Sequence, residues 1–128
     1  MPARILVVDD ERSIADTLTI ILNLSGYECR SAYDGAEALE AVDSFRPDLI
    51  ISDVVMPKLD GIELYHRVKT LPNPPAVILI SGNANVHGMV EHEERLGCHL
   101  EVVAKPIPPP ELLTLVSRFL QRSAEAVA

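Results

Sequence analysis

Short runs of consecutive apolar residues recur along the chain at Ile5-Leu6-Val7-Val8, Leu49-Ile50-Ile51 and Val77-Ile78-Leu79-Ile80. Each is too short for a helix and rich in β-branched residues, the pattern of strands buried on both faces. Glu28 to Ala32 and Leu100 to Ala104 mix polar with apolar positions, as strands at the two edges of a sheet do. The predicted strands therefore lie near 4–8, 28–32, 48–52, 77–80 and 100–104. Between them apolar residues recur at helical spacing: Ile14, Leu18, Ile21 and Leu22, then Ala38, Leu39, Val42 and Phe45, then Leu64, Val68 and Leu71. A fourth segment, around Val86, Met89, Val90 and Leu96, has a thin stripe among polar residues, which predicts the least tightly packed helix. A fifth, with Leu112, Val116, Phe119 and Leu120, opens on prolines, where a missing N–H costs least. Strict alternation of strand and helix predicts a doubly wound α/β fold, a five-stranded parallel sheet with five helices on its two faces.

The length of 128 residues fits one domain, 1–128, and apolar and charged shares of 48% and 23% fit a folded globular chain. A formal charge of −8 repels phosphate backbones and anionic lipid, which argues against direct binding to nucleic acid or membrane. Cys29 and Cys98 lack metal-ligand spacing and read as reduced thiols. The N-terminal apolar run is cut short by Asp9-Asp10-Glu11-Arg12, so no signal segment is predicted, no later run is long enough to span a bilayer, and a cytoplasmic location is expected. Pro106, Pro108, Pro109 and Pro110 read as a rigid turn before the last helix.

The residues at the ends of the predicted strands carry the chemistry. Strand one ends at Asp9-Asp10, strand three at Asp53, strand four at Ser81 and strand five at Lys105, and in open parallel sheets ligands bind outside these carboxyl ends. Each alone has a plainer explanation: Asp10 as cap of the first helix, Asp53 in an Asx-turn before Pro57, Ser81 as cap of the fourth helix, Lys105 as a solvated loop lysine. Together they put three carboxylates in one cleft, where they repel unless protonated or matched by positive charge. All-oxygen ligands select a hard cation, and so few protein ligands suit Mg²⁺. With Mg²⁺ held by Asp9, Asp10 and Asp53, a carboxylate oxygen of Asp53 can attack phosphorus, Lys105 balances the phosphoryl charge and Ser81 offers a hydroxyl. The product is an aspartyl phosphate.

Taken in order, Ile5-Leu6-Val7-Val8-Asp9-Asp10-Glu11, Asp34-Gly35-Ala36-Glu37-Ala38-Leu39, Pro47-Asp48-Leu49-Ile50-Ile51-Ser52-Asp53, Met56-Pro57-Lys58-Leu59-Asp60-Gly61, Ser81-Gly82 and Lys105-Pro106 resemble the receiver domains of two-component response regulators, of the single-domain chemotaxis-regulator type, over essentially the whole chain. The resemblance implies a flavodoxin-like strand order of 2-1-3-4-5. It implies that Asp53 accepts a phosphoryl group from a sensor histidine kinase or histidine phosphotransfer protein. Asp9 and Asp10 become the acidic pair for Mg²⁺ (or Mn²⁺), Asp10 the more direct ligand, with the backbone carbonyl of Val55 a further one. Ser81 becomes the hydroxyl that bonds the phosphoryl oxygens, and Lys105 the lysine that contacts them, with a Lys105-Pro106 bond that is often cis in the family. Gly61 closes the turn after Met56-Pro57, with positive φ, and Val55 and Asn83 flank the phosphoryl group and affect its lifetime. Output is expected through a protein partner on the face from the fourth to the fifth helix, with homodimerisation left open and no catalysis beyond the chain's own phosphoryl transfer and dephosphorylation.

Two departures stand out. Val102 occupies the position, three before the lysine, where receivers commonly carry Tyr or Phe, and Gly97 to Glu101 depart from the usual acidic turn. The lost ring leaves a phosphorelay carrier or phosphate sink beside the conformational switch. An aspartyl-phosphate phosphatase would need a second acid that Asp53-Val54-Val55 lacks, and a binding module independent of phosphorylation would leave the five polar strand-end residues unexplained. His66, His87, His92 and His99 have no ligand spacing, and Glu91 to Arg95 reads as a solvated helix face or a docking patch. No output sequence follows the last helix, so output by a partner is expected of the chain as it stands.

Overall fold

The computed structural model describes residues 2–56, 59–82 and 102–127. In chain order they form β1 (Arg4–Val8), α1 (Arg12–Leu24), β2 (Glu28–Ala32), α2 (Gly35–Phe45), β3 (Leu49–Asp53), α3 (Gly61–Val68), β4 (Ala76–Ser81), β5 (Val102–Ala104) and α4 (Pro109–Val127). The expected fourth helical segment, with Val86, Met89, Val90 and Leu96, lies outside the described residues, as do Asn83, Cys98, His87, His92, His99 and the run from Glu91 to Arg95. The helix expected fifth is thus α4. All strands are parallel in the order β2-β1-β3-β4-β5, with the two mixed-polarity strands at the edges.

Alternation along the strands divides the core. On one face Ile5, Val7, Leu49, Ile51, Ile78 and Ile80 pack with Leu18 and Leu22 of α1 and Leu112 and Val116 of α4. On the other, Leu6, Val8 and Ile50 pack with Ala38 and Val42 of α2 and Leu64 and Val68 of α3. Both faces are covered, so the central strands carry unbroken apolar runs, and β3 is buried at all five positions, its polar end Ser52-Asp53 included.

Local chemistry sets the boundaries. β3 runs Leu49–Asp53 where 48–52 is expected: the Asp48 carboxylate accepts from the Arg4 N–H at 2.8 Å, while Asp53 extends the ladder opposite Ile80. β4 likewise begins at Ala76 and takes in Ser81. The described part of β5 is Val102–Ala104, and positions 100 and 101 lie outside the described residues. Asp34 and Asp60 cap α2 and α3 by accepting the N–H of Glu37 and Glu63, each at 2.8 Å. α3 stops at Val68, and Leu71 lies outside the helix, 40% exposed; Pro72 disfavours helical geometry in the residue before it, so the helix does not run on to Leu71. Asp10 does not cap α1: the N-cap is Glu11, and the Asp9 carboxylate accepts the Glu11 N–H at 3.0 Å. Cys29 is a free thiol, pushed up to about 11 by burial, which keeps it protonated.

Candidate metal and phosphoryl site

The order β2-β1-β3 means that the chain reverses its direction of growth between β1 and β3, which opens a crevice at their carboxyl ends. Asp9 stands at that end of β1, its N–H still bonded to the Ala32 carbonyl at 3.1 Å and its side chain fully buried. Asp53 ends β3 and is also buried. Lys105 follows β5, fixed by its N–H to the Ser81 carbonyl at 2.9 Å, and its peptide bond to Pro106 is cis. From there its stem crosses β4, and Nζ donates to Asp9 Oδ2 at 2.7 Å and to Asp53 Oδ2 at 3.1 Å. A buried Asp9 with no cation beside it would be costly, so this ion pair is a condition of the fold as well as a feature of the site.

Asp10 is exposed at the rim, and one carboxylate oxygen each from Asp9, Asp10 and Asp53 lie within 4.8 Å of one another. Three hard oxygen donors converging from one side fit a divalent cation that keeps part of its water, so the cluster could hold Mg²⁺ or Mn²⁺. Burial is the main cause that lifts the Asp53 carboxyl above its ordinary value; Lys105 pulls it back, and the charges of Asp9 and Asp10 add to the rise. Burial works to lower Lys105, but its bonds to Asp9 and Asp53 outweigh that, so the ammonium is held above its ordinary value. Among the described residues the site therefore pairs one cation with more negative charge than it can neutralise, and a divalent ion bound there would relieve the excess.

Ser81 stands one residue past Ile80, the register partner of Asp53, and is buried beside the Lys105 backbone. Val55 follows Asp53 by two residues in an exposed loop segment, 48% accessible. The structure thus brings Asp9, Asp10, Asp53 and Lys105 into direct association and puts Ser81 on the neighbouring strand end. The plain reading of Lys105 as a solvated lysine does not hold, since its side chain is 17% exposed and doubly paired. Gly61 is needed for a different reason from the expected one. Its φ is not positive; instead a Cβ there would run into the Asp53 carbonyl oxygen. The signal was only a glycine opening a helical pattern, and the contact behind it is tertiary. Val102 packs against Val54, Ile62 and Leu79, and Tyr65 of α3 packs on the same cluster, an aromatic contribution that no pattern in the sequence had singled out.

The comparisons agree with this geometry. The sequence model of the response regulator receiver domain matches residues 5–117. Response regulator MprA of Mycolicibacterium vanbaalenii is 34% identical over 123 residues, which is 96% of this chain and 52% of that protein. The alkaline phosphatase synthesis transcriptional regulatory protein PhoP of Bacillus subtilis is 36% identical over 126 residues, 96% of this chain and 50% of that one. The chain thus spans about half the length of the curated relatives it matches. Among solved structures, a CheY-like receiver domain protein from Methanospirillum hungatei superposes with a TM-score of 0.86 at 27% identity, covering 98% of this chain and 99% of that one. NtrX from Brucella abortus superposes at 0.85 and 34% identity over 98% of this chain and 28% of that one. The chain belongs to the response regulator receiver domain family of two-component signalling.

Proposed function

We propose that the chain, acting as one receiver unit over 1–128, takes a phosphoryl group onto Asp53 from a phosphohistidine on a sensor kinase or phosphotransfer protein and signals through a protein partner. The observation that carries this reading is the Lys105 ammonium held between Asp9 and Asp53 beside an acidic cluster suited to a divalent ion. In the transfer an Asp53 carboxylate oxygen forms the new P–O bond as the P–N bond to the donor imidazole breaks, and the imidazole leaves. Asp9, Asp10, Asp53 and the Val55 carbonyl would hold Mg²⁺ or Mn²⁺, which supplies charge neutralisation for the phosphoryl oxygens. Lys105 then shifts from an Asp53 oxygen to a phosphoryl oxygen without leaving Asp9, and Ser81 donates its hydroxyl from the adjacent strand end. Val55, two residues after Asp53, would flank the group and affect how readily water reaches it. We place this activity in the cytoplasm, on a chain in which no helix among the described residues is long and apolar enough to cross a membrane, and we assign it no chemistry beyond its own phosphorylation and dephosphorylation.

Val102 favours a second reading within the same chemistry, a phosphorelay carrier, because an aliphatic residue already packed on Val54, Ile62 and Leu79 has no ring to swing between positions. Transfer from a histidine-phosphorylated donor separates the outcomes. Label passing to wild type and not to Asp53→Asn supports the acceptor; onward passage to a second histidine protein supports the carrier, and phosphorylation-dependent capture of an effector supports the switch. Equal labelling of Asp53→Asn contradicts both.

A further inference from the structure

α1 lies against the edge strand β2 through a row of polar contacts that descend in step. Arg12 stacks over the Tyr33 ring at 4.1 Å, and the Tyr33 hydroxyl donates to Asp16 Oδ1 at 2.6 Å. One turn on, the hydroxyls of Thr19 and Ser31 are 2.7 Å apart. At the next turn Asn23 grips the backbone of Cys29: Oδ1 accepts the Cys29 N–H at 2.8 Å, and Nδ2 donates to the Cys29 carbonyl at 3.3 Å. Residues 12, 16, 19 and 23 share one helix face, while 29 and 31 lie two apart along the strand and 33 just past its end, so helix and strand run in opposite directions and meet rung by rung.

The direction of the Cys29 backbone gives this contact its meaning. Glu28 donates its N–H to the Ala3 carbonyl, and Ala32 accepts the Asp9 N–H, so the backbone groups at 28 and 32 face β1. Backbone groups alternate sides along a strand, so those of Cys29 and Ser31 face away from the sheet, where a sixth strand would add. The Asn23 side chain, a primary amide with one donor and one acceptor in use, occupies that place as a strand's peptide group would.

We propose that Asn23 is a lock that closes the β2 edge to strand addition by a second copy of this chain. The edge is self-complementary. An antiparallel pairing centred on Cys29 would exchange both outward bonds between the two Cys29 residues and set Glu28 of one copy opposite Arg30 of the other. Five residues of β2 are available for such pairing, against three in the described part of β5, and short edges are poor templates.

The test is Asn23→Ala, a change that keeps a strong helix former in α1. Sedimentation of the full chain should show self-association about tenfold or more tighter than in wild type. Adding Ser31→Pro removes an outward N–H without touching the pairing to β1, and Asn23→Ala/Ser31→Pro should return to the wild-type level. Unchanged association in Asn23→Ala, or association that survives Ser31→Pro, overturns the proposal. Hydrogen exchange on the wild type does not depend on any variant folding: the Cys29 amide should be slowed about a hundredfold or more, and an unprotected Cys29 amide also overturns the lock.

Discussion

Replacing Asp53 with Asn removes a carboxylate whose ionised form the fold disfavours. The Asp53 pKa is raised in the folded chain by burial, with Asp9 and Asp10 adding to the rise, so its ionisation costs stability above the folded pKa, and the cost disappears as pH falls through that value. Asp53→Asn should therefore raise the denaturant midpoint at neutral pH in metal-free buffer, and the gain should shrink towards acid; urea melts at several pH values measure it, and a loss at neutral pH would contradict the charge balance. Gly61→Ala acts by shape. Its Cβ meets the Asp53 carbonyl, a backbone atom that cannot step aside, so a loss of about 1–3 kcal/mol is expected in the same melts. Asp9, Asp10, Asp53 and Lys105 were legible as a group because each directly follows or ends an apolar strand run, and parallel topology gathers those ends. The reason for Gly61 was not legible, because close approach to a residue eight positions earlier is set by the path of the loop and leaves no local pattern.

Helix starts differ in what holds them. Asp34 and Asp60 each accept an amide hydrogen in the first turn of α2 and α3, whereas the α1 N-cap, Glu11, makes no side-chain capping bond. Asp34→Ala and Asp60→Ala should each cost about 1 kcal/mol, while Glu11→Ala should change stability by no more than about 0.5 kcal/mol. Thermal melts of the three variants check this, and an equal loss in Glu11→Ala would mean that α1 is anchored through Glu11 after all. Strands and helix stripes were readable because burial on both sheet faces forces unbroken apolar runs in β1, β3 and β4, and one-sided burial forces period-3.6 stripes in the helices. Boundaries were less so. Whether Asp48 or Asp53 belongs to β3 depends on the Asp48 bond to Arg4 and on pairing with Ile80, and the end of α3 depends on Pro72 more than on the apolar Leu71.

At the scale of the molecule, the chain carries a formal charge of −8 and concentrates three acids at the carboxyl end of the sheet, with one lysine between them among the described residues. Divalent cation bound there stabilises the folded state by mass action, about 2.7 kcal/mol at a hundredfold excess over Kd. Mg²⁺ should raise the melting temperature by several degrees in wild type and little in Asp10→Ala, whose lost carboxylate is exposed and leaves the core intact. An equal shift in Asp10→Ala would place the ion elsewhere. Phosphorylation of Asp53 is the claim on which the functional reading rests, and intact-mass measurement with a small acyl-phosphate donor tests it most directly. Wild type with Mg²⁺ should gain a single phosphoryl group, lost with chelator and in Asp53→Asn; an adduct that persists at the same level in Asp53→Asn, or that forms equally without metal, would contradict it.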